Sequence, residues 1–235
     1  MDTQYPSVLV YNGKLYPFNP HNIQYSLPKV TQHGGYVVQC SYRINDSVVV
    51  PVVLQTPVMT STFGLTTAEQ EGKIRGSVDV TFNDSSGPDV ELFKQTMSMW
   101  DSLLLQMAKD NKQKWFKSAK ITDEILDYLH IPMVRENIRK SDGQRFSDSM
   151  KGKIKRRNDQ FCCEVFDSNK NPITLDDLGR SSKIRMLLVQ SGVWFSESMF
   201  VSSFDTPQIQ LISSGQMNGF SFVDEPPTTI EGLVC

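Results

Sequence analysis

The sequence predicts an α+β fold that is mainly β, and three observations carry that expectation. The first third alternates apolar and polar residues in short runs rich in β-branched side chains. The middle contains one long stretch with apolar residues every three or four positions, the period of a helix with one buried face. The last third returns to alternation. With 39% hydrophobic and 21% charged residues over 235 positions, the composition is that of a folded globular chain.

In the first third, "GGYVVQCSYRI" (34–44) puts Tyr36, Val38, Cys40 and Tyr42 on one face of a strand. "NDS" supplies a turn, and Val48 to Thr56 is a β-branched run in which Pro51 points to an edge or a bulge. A third strand, Gly76 to Phe82, is short and alternating, and the loop "NDSSGP" follows it. Ahead of these, residues 1–33 hold Pro6, Pro17, Pro20 and Pro28 and read as an extended arm laid over one domain of residues 34–215.

A helical insertion is expected over 88–130. Val90, Phe93, Met97, Trp100, Leu103, Leu104 and Met107 form its apolar stripe, with Asp89 as the expected cap and Glu91 in the first turn, where the macrodipole favours it. Trp100 is in phase with the stripe and belongs to the core. Thr122 caps a second, shorter helix that stops before Pro132. Continued in phase beyond Met107, the apolar face of the long helix passes through Asn111 and Lys114. Trp115 then lies roughly 80° off that face and Phe116 about opposite it. Either the helix ends near Asn111, or this aromatic pair serves another surface.

In the last third, Asp159 to Asp167 alternates, and Ser181 to Phe195 is a long strand with Gly192 as a bulge or bend. Trp194 and Phe195 are adjacent on it, so one faces the core and the other faces outward. "SMFVSSF" and "PQIQLIS" add one or two strands. Three strands, a helical segment and two further strands are the order of an OB-like five-stranded Greek-key barrel with the helical insertion between strands 3 and 4. A β-sandwich with a helical insertion is the alternative. Residues 216–235 form an acidic C-terminal tail.

The chemistry-bearing motifs point away from catalysis. No phosphate-binding glycine loop, H-E-x-x-H or G-x-S-x-G is present, and three histidines have no consistent carboxylate or cysteine neighbour. Cys40, Cys162, Cys163 and Cys235 have neither zinc-site nor disulfide-framework spacing. Asp176 and Asp177 read as a helix or turn start. No enzyme, cofactor or metal is expected. No signal-peptide pattern or membrane-length apolar run occurs, so an intracellular, non-secreted protein is expected.

The net charge of −2 conceals a basic middle and an acidic end. "KGKIKRR" places five cations in seven residues, preceded by Arg135, Arg139, Lys140 and Arg145. Such a cluster suits a groove wall that follows phosphates, with binding weakened by salt as counterions compete. Lys151, Lys153, Lys155, Arg156 and Arg157 are the candidate phosphate contacts, assisted by Lys112, Lys114 and Lys117. Trp115 and Phe116 are the candidate stacking residues, with Phe146 also among the cations; an aromatic face accepts any base.

The stretch from the long helix through "NKQKWF", the short helix before "IPMVRENI", "KGKI", and "IRMLLVQSGVWF" with Phe200 after it resembles a conserved family of nucleocytoplasmic large DNA viruses of algae and protists. The resemblance spans residues 90–212 and matches at Trp115, Phe116, Lys153, Trp194 and Phe195. That family is distantly similar to the single-stranded-DNA-binding proteins of short-tailed coliphages, OB-fold proteins whose acidic tail competes with DNA. The resemblance implies a non-enzymatic viral protein that binds single-stranded DNA, in preference to RNA, during replication, recombination or repair. It also implies a site of action in the host nucleus or a cytoplasmic viral factory, replication proteins met through the tail, and self-association as an option. This tail departs from the pattern, ending Leu-Val-Cys with no terminal aromatic. The rival reading is a virion structural or capsid-associated protein whose aromatics anchor an interface.

Overall fold

The computed structural model describes residues 8–31, 35–70, 72–83, 87–116, 121–196 and 198–215. Strands β1 (Val8–Tyr11) and β2 (Lys14–Pro17) form a hairpin. Its two turn residues, Asn12 and Gly13, take φ of 49° and 68°, the left-handed geometry that matches hairpin twist. Then come β3 (Ile23–Tyr25), β4 (Lys29–Val30), β5 (Tyr36–Val38), β6 (Cys40–Asn45), β7 (Val48–Pro51) and β8 (Val53–Gln55). Two long strands follow, β9 (Met59–Gln70) and β10 (Lys73–Phe82). The helices are α1 (Pro88–Asp110), α2 (Lys112–Phe116) and α3 (Asp123–Leu129). After two short strands, β11 (His130–Ile131) and β12 (Arg135–Ile138), the chain enters the long β13 (Arg145–Arg157). The remainder is β14 (Gln160–Cys162), β15 (Glu164–Phe166), β16 (Pro172–Ile173), β17 (Lys183–Phe195) and β18 (Phe200–Ser213).

Five of these strands pair in a ring. β9 pairs with β10, β10 with β13, β17 with β9 and β17 with β18, all antiparallel. The ring closes through a parallel contact between β13 and β18 at Lys153 and Asp205. Elsewhere β13 and β18 diverge, and β11 lies beside β18 at Phe200 and Val201. Closure depends on Gly152. A Cβ there would collide with Thr206 Oγ1 and come within 3.5 Å of Leu188 Cδ2, so only glycine lets β13 approach β18 this closely.

The strands expected over 34–44 and 48–56 exist as β5 with β6 and β7 with β8, each broken once, but lie outside the ring. β6 joins β3 and β7 in a separate three-stranded sheet, where β7 with Pro51 is an edge. β5 and β8 add to β17. Residues 8–30, expected as an extended arm, supply strands to both sheets and bury Leu9 and Phe18 completely. The ring instead uses β9 and β13, neither of which the sequence pattern predicts. Thr, Ser and Gly make up half of β9, and nine of the thirteen residues of β13 are polar or charged, so neither shows an apolar run. As a result α1 falls between the second and third ring strands rather than between the third and fourth.

Helix α1 starts with Gly87 at the cap and Pro88 in the first turn; Asp89, the expected cap, sits inside the helix beside Glu91. Its stripe faces the core as expected, with Val90, Phe93, Met97, Trp100 and Leu104 buried and Leu103 and Met107 partly so. Trp100 is fully enclosed, with Phe18 at 5.4 Å and Phe204 at 5.5 Å between ring centroids, and its Nε1 donates to the Tyr25 hydroxyl at 3.1 Å. The helix ends at Asp110, and Asn111 caps it by donating from its backbone N–H and from Nδ2 to the Met107 carbonyl. Thr122 caps α3, as its position predicts, by accepting from the Ile125 N–H. The DD pair is a turn start: Asp177 closes a capping box with Thr174.

If Gly152 sets the closure of the ring, Gly152→Ala should cost about 1–3 kcal/mol from overpacking. Urea denaturation of the variant measures this, and unchanged stability would show that β13 can retreat from β18 freely.

Candidate nucleic-acid interface

The basic cluster is the second half of β13. Alternation sends Gly152 and Ile154 into the barrel and leaves Lys151, Lys153 and Lys155 on the outer face, recurring about every 6.8 Å along the strand. β10 lies beside it with Ser77 opposite Lys153 and Asp79 opposite Lys151, and its own outward series is Lys73, Arg75, Ser77 and Asp79. The two strands line a groove of about 770 Å³ that contains six cations and two carboxylates. Gly72 from the β9–β10 turn and Met199 from the β17–β18 turn also line it. A smaller cavity of about 150 Å³ continues it past Lys151 and Lys153 to Arg135, Ile131 and Val201.

Carboxylates hold some of these cations. Lys155 pairs with Asp205 at 2.7 Å, Lys151 approaches Asp79 at 3.7 Å, and Arg156 faces Asp159 at 3.4 Å with its guanidinium over Phe161. Lys73, Arg75, Lys153 and Arg157 make no ion pair among the described residues. The Lys153 ammonium is held below the usual lysine range, first by partial burial, with the positive charges of Arg75, Arg135 and Lys151 adding to the effect and Asp205 opposing it. Burial pushes the Asp79 carboxyl up, against the pull of Lys151 and Arg135. Arg135 keeps a buried Nε without a hydrogen-bond partner. Cations crowded together this way repel one another, and an added anion relieves that repulsion.

The other sequence candidates lie elsewhere. Trp115 is 3% exposed, packed edge-on against Phe195 at 5.6 Å and against Tyr25 at 5.6 Å. Phe116 meets Phe195 at 5.0 Å and Phe200 at 5.7 Å. Both rings belong to an aromatic cluster beneath the β17–β18 turn, where Trp115 is buried and offers no face for stacking while Phe116 is half-buried. The break at Asn111 restarts the helix in a new phase, which turns the pair inward. Lys112 is tied to Asp123 at 2.7 Å, and neither it nor Lys114 lines the groove. Lys117 lies outside the described residues, as does the acidic tail. Phe146 is exposed beneath the Arg139 guanidinium. Lys73 and Arg75 are groove residues outside the sequence candidates, and Arg135, which precedes the basic run in sequence, lines the smaller cavity. The alternation of "KIRGSVDV" upstream of Gly76 is the signal that could have found the first two. Among the described residues no cluster of His, Cys, Asp or Glu is arranged to hold a metal ion.

A family model matches residues 78–224, and the chain belongs to that family, a family of unknown function (DUF5871). The match takes in β13, β17, β18 and the second half of β10. No curated protein matches the sequence. Among solved structures, the chain is similar to gp2.5, a single-stranded-DNA-binding protein encoded by bacteriophage T7. The two are 11% identical with a TM-score of 0.43, over 74% of this chain and 98% of that one. It is also similar to the single-stranded-DNA-binding protein of bacteriophage Enc34 in complex with single-stranded DNA, at 9% identity and a TM-score of 0.41, over 82% and 98% of the two chains.

Because an anion favours the charged form of a lysine, Lys153 should titrate below the ordinary lysine range in the free protein and move upward when a short oligonucleotide is added. Asp205→Asn should lower it further, since that carboxylate now helps hold the proton. NMR titration of the lysine Cε signals reads all three; an ordinary, ligand-insensitive Lys153 would count against the groove as an anion site.

Proposed function

We propose that this protein binds single-stranded nucleic acid without sequence preference, DNA rather than RNA, in the replication, recombination or repair of viral DNA. The observation that carries the reading is the cation-lined groove across β10 and β13, bordered by the β9–β10 and β17–β18 turns. We read the five-strand ring as an OB-type barrel whose strands 1 to 5 are β9, β10, β13, β17 and β18. OB barrels take oligonucleotides on the face of strands 2 and 3, between the loops joining strands 1–2 and 4–5. On this reading of the ring, the cation-lined groove falls in the same place.

Its chemistry supports a polyanion recognised through its backbone. Lys151, Lys153 and Lys155 form one straight row, which a single flexible strand can follow phosphate by phosphate, whereas each backbone of a duplex winds away from it. The outer face offers charge rather than an ordered set of donors and acceptors for base edges, which suits sequence-independent binding. The choice of DNA over RNA and the viral setting come from the family resemblance of the sequence.

Titration with oligo-dT at several salt concentrations tests the proposal. Binding should weaken as salt rises, with log K falling by about 0.7 per phosphate neutralised for each unit of log salt. Lys153→Gln should reduce that slope by about 0.7. Absence of salt-sensitive binding at low ionic strength would sink the proposal, and equal affinity for oligo-dT and oligo-rU would remove the DNA preference.

A further inference from the structure

Resting on that reading, we propose that the bound strand leaves the groove over Trp194 and continues onto the β4–β5 ribbon, where Lys29 meets a phosphate. Strand register places these residues in one row. Ile131 is opposite Val201, Val201 opposite Trp194, Trp194 opposite Val37, and Val37 opposite Lys29. Residues directly opposite each other in neighbouring strands point to the same face.

Burial identifies that face as the one bearing the groove. Phe195 and Phe200, one position along from Trp194 and Val201, point into the aromatic cluster, while Trp194 stays 41% exposed. Ile131 and Val201 line the same small cavity as Lys151 and Lys153. The row thus begins at the groove's cations and runs outward across four inter-strand steps, about 19 Å. Lys29 is exposed at its far end and makes no ion pair among the described residues.

Local packing sets the Trp194 ring on this face. Gly192, two residues earlier, has φ 130° at a bulge where the β17–β18 register shifts, and a Cβ there would press on Val37 Cγ2. Val37 therefore fills the space that a side chain at 192 would take, leaving it 8% exposed beside Trp194. Trp194 and Lys29 together offer what one nucleotide needs outside the groove: a flat π-face for an unpaired base and a charge for its phosphate.

The protein contains three tryptophans, and Trp100 and Trp115 are buried at 0% and 3% exposure, so fluorescence quenching by DNA reports on Trp194. Oligo-dT of about 16 nucleotides should quench the emission, and Trp194→Phe should abolish the quenching while the protein stays folded. Trp194→Ala should weaken binding of that oligomer by about 5- to 150-fold. Lys29→Gln should lower the salt slope by about 0.7 with the long oligomer and leave it unchanged with one of about 6 nucleotides, which fits within the groove. Lys153→Gln should lower the slope at both lengths. If binding is salt-sensitive and depends on Lys153, yet Trp194→Ala and Lys29→Gln match the wild type at both lengths, the extended path is wrong and the groove stands. If no variant or wild type binds, both proposals fall. A DNA-free dimer in sedimentation that Trp194→Ala dissolves would overturn the path in favour of self-association.

Discussion

The close approach of β13 to β18 at Gly152 is the contact on which most of the structure depends. It closes the five-strand ring through a single parallel contact, Lys153 with Asp205. With Gly152 and Ile154 turned into the barrel, Lys151, Lys153 and Lys155 must face out. A one-residue slip of β13 would bury the lysines and expose Ile154, so the buried face enforces the register that displays the charge. Fold and site share one alternation.

Closure also brings acids to the cations. Asp205 enters from β18 and Asp79 from β10, so Lys155 and Lys151 are partly neutralised while Lys153 sits among positive neighbours. A groove in which every cation had its own carboxylate would have little left for a phosphate. One lined by unpaired cations alone would strain the fold through like-charge repulsion. The observed mixture leaves Lys73, Arg75 and Lys153 available while Asp79 and Asp205 temper the field.

The aromatic cluster joins the layers. Phe195 and Phe200 come from β17 and β18, Trp115 and Phe116 from α2, and Tyr25 from the N-terminal segment. It sits under the turn whose Met199 borders the groove. Residues 8–30 are therefore bound into the core through Phe18, Tyr25 and their strands, rather than draped over a domain complete without them.

The sequence by itself determined the class of the fold, the long helix with its apolar stripe, the Thr122 cap, the Gly192 bulge, and the opposite facing of Trp194 and Phe195, and it offered an end near Asn111 as one of two resolutions of the helical phase. All of these are local: they follow from dihedral preference, helical phase or two-residue alternation within one element. It also located the main basic cluster, because charge needs no tertiary context to be counted. Tertiary structure alone decided which strands form the ring. β9 and β13 have little apolar alternation of their own and are strands because their neighbours hydrogen-bond them. It decided the fate of Trp115 and Phe116 as well, since the phase of a helix restarted after Asn111 is set by what the new helix packs against. The partnership of Lys73 and Arg75 with Lys153 was beyond sequence reading for the same reason. Residues some eighty positions apart become one site only when strand pairing brings them side by side.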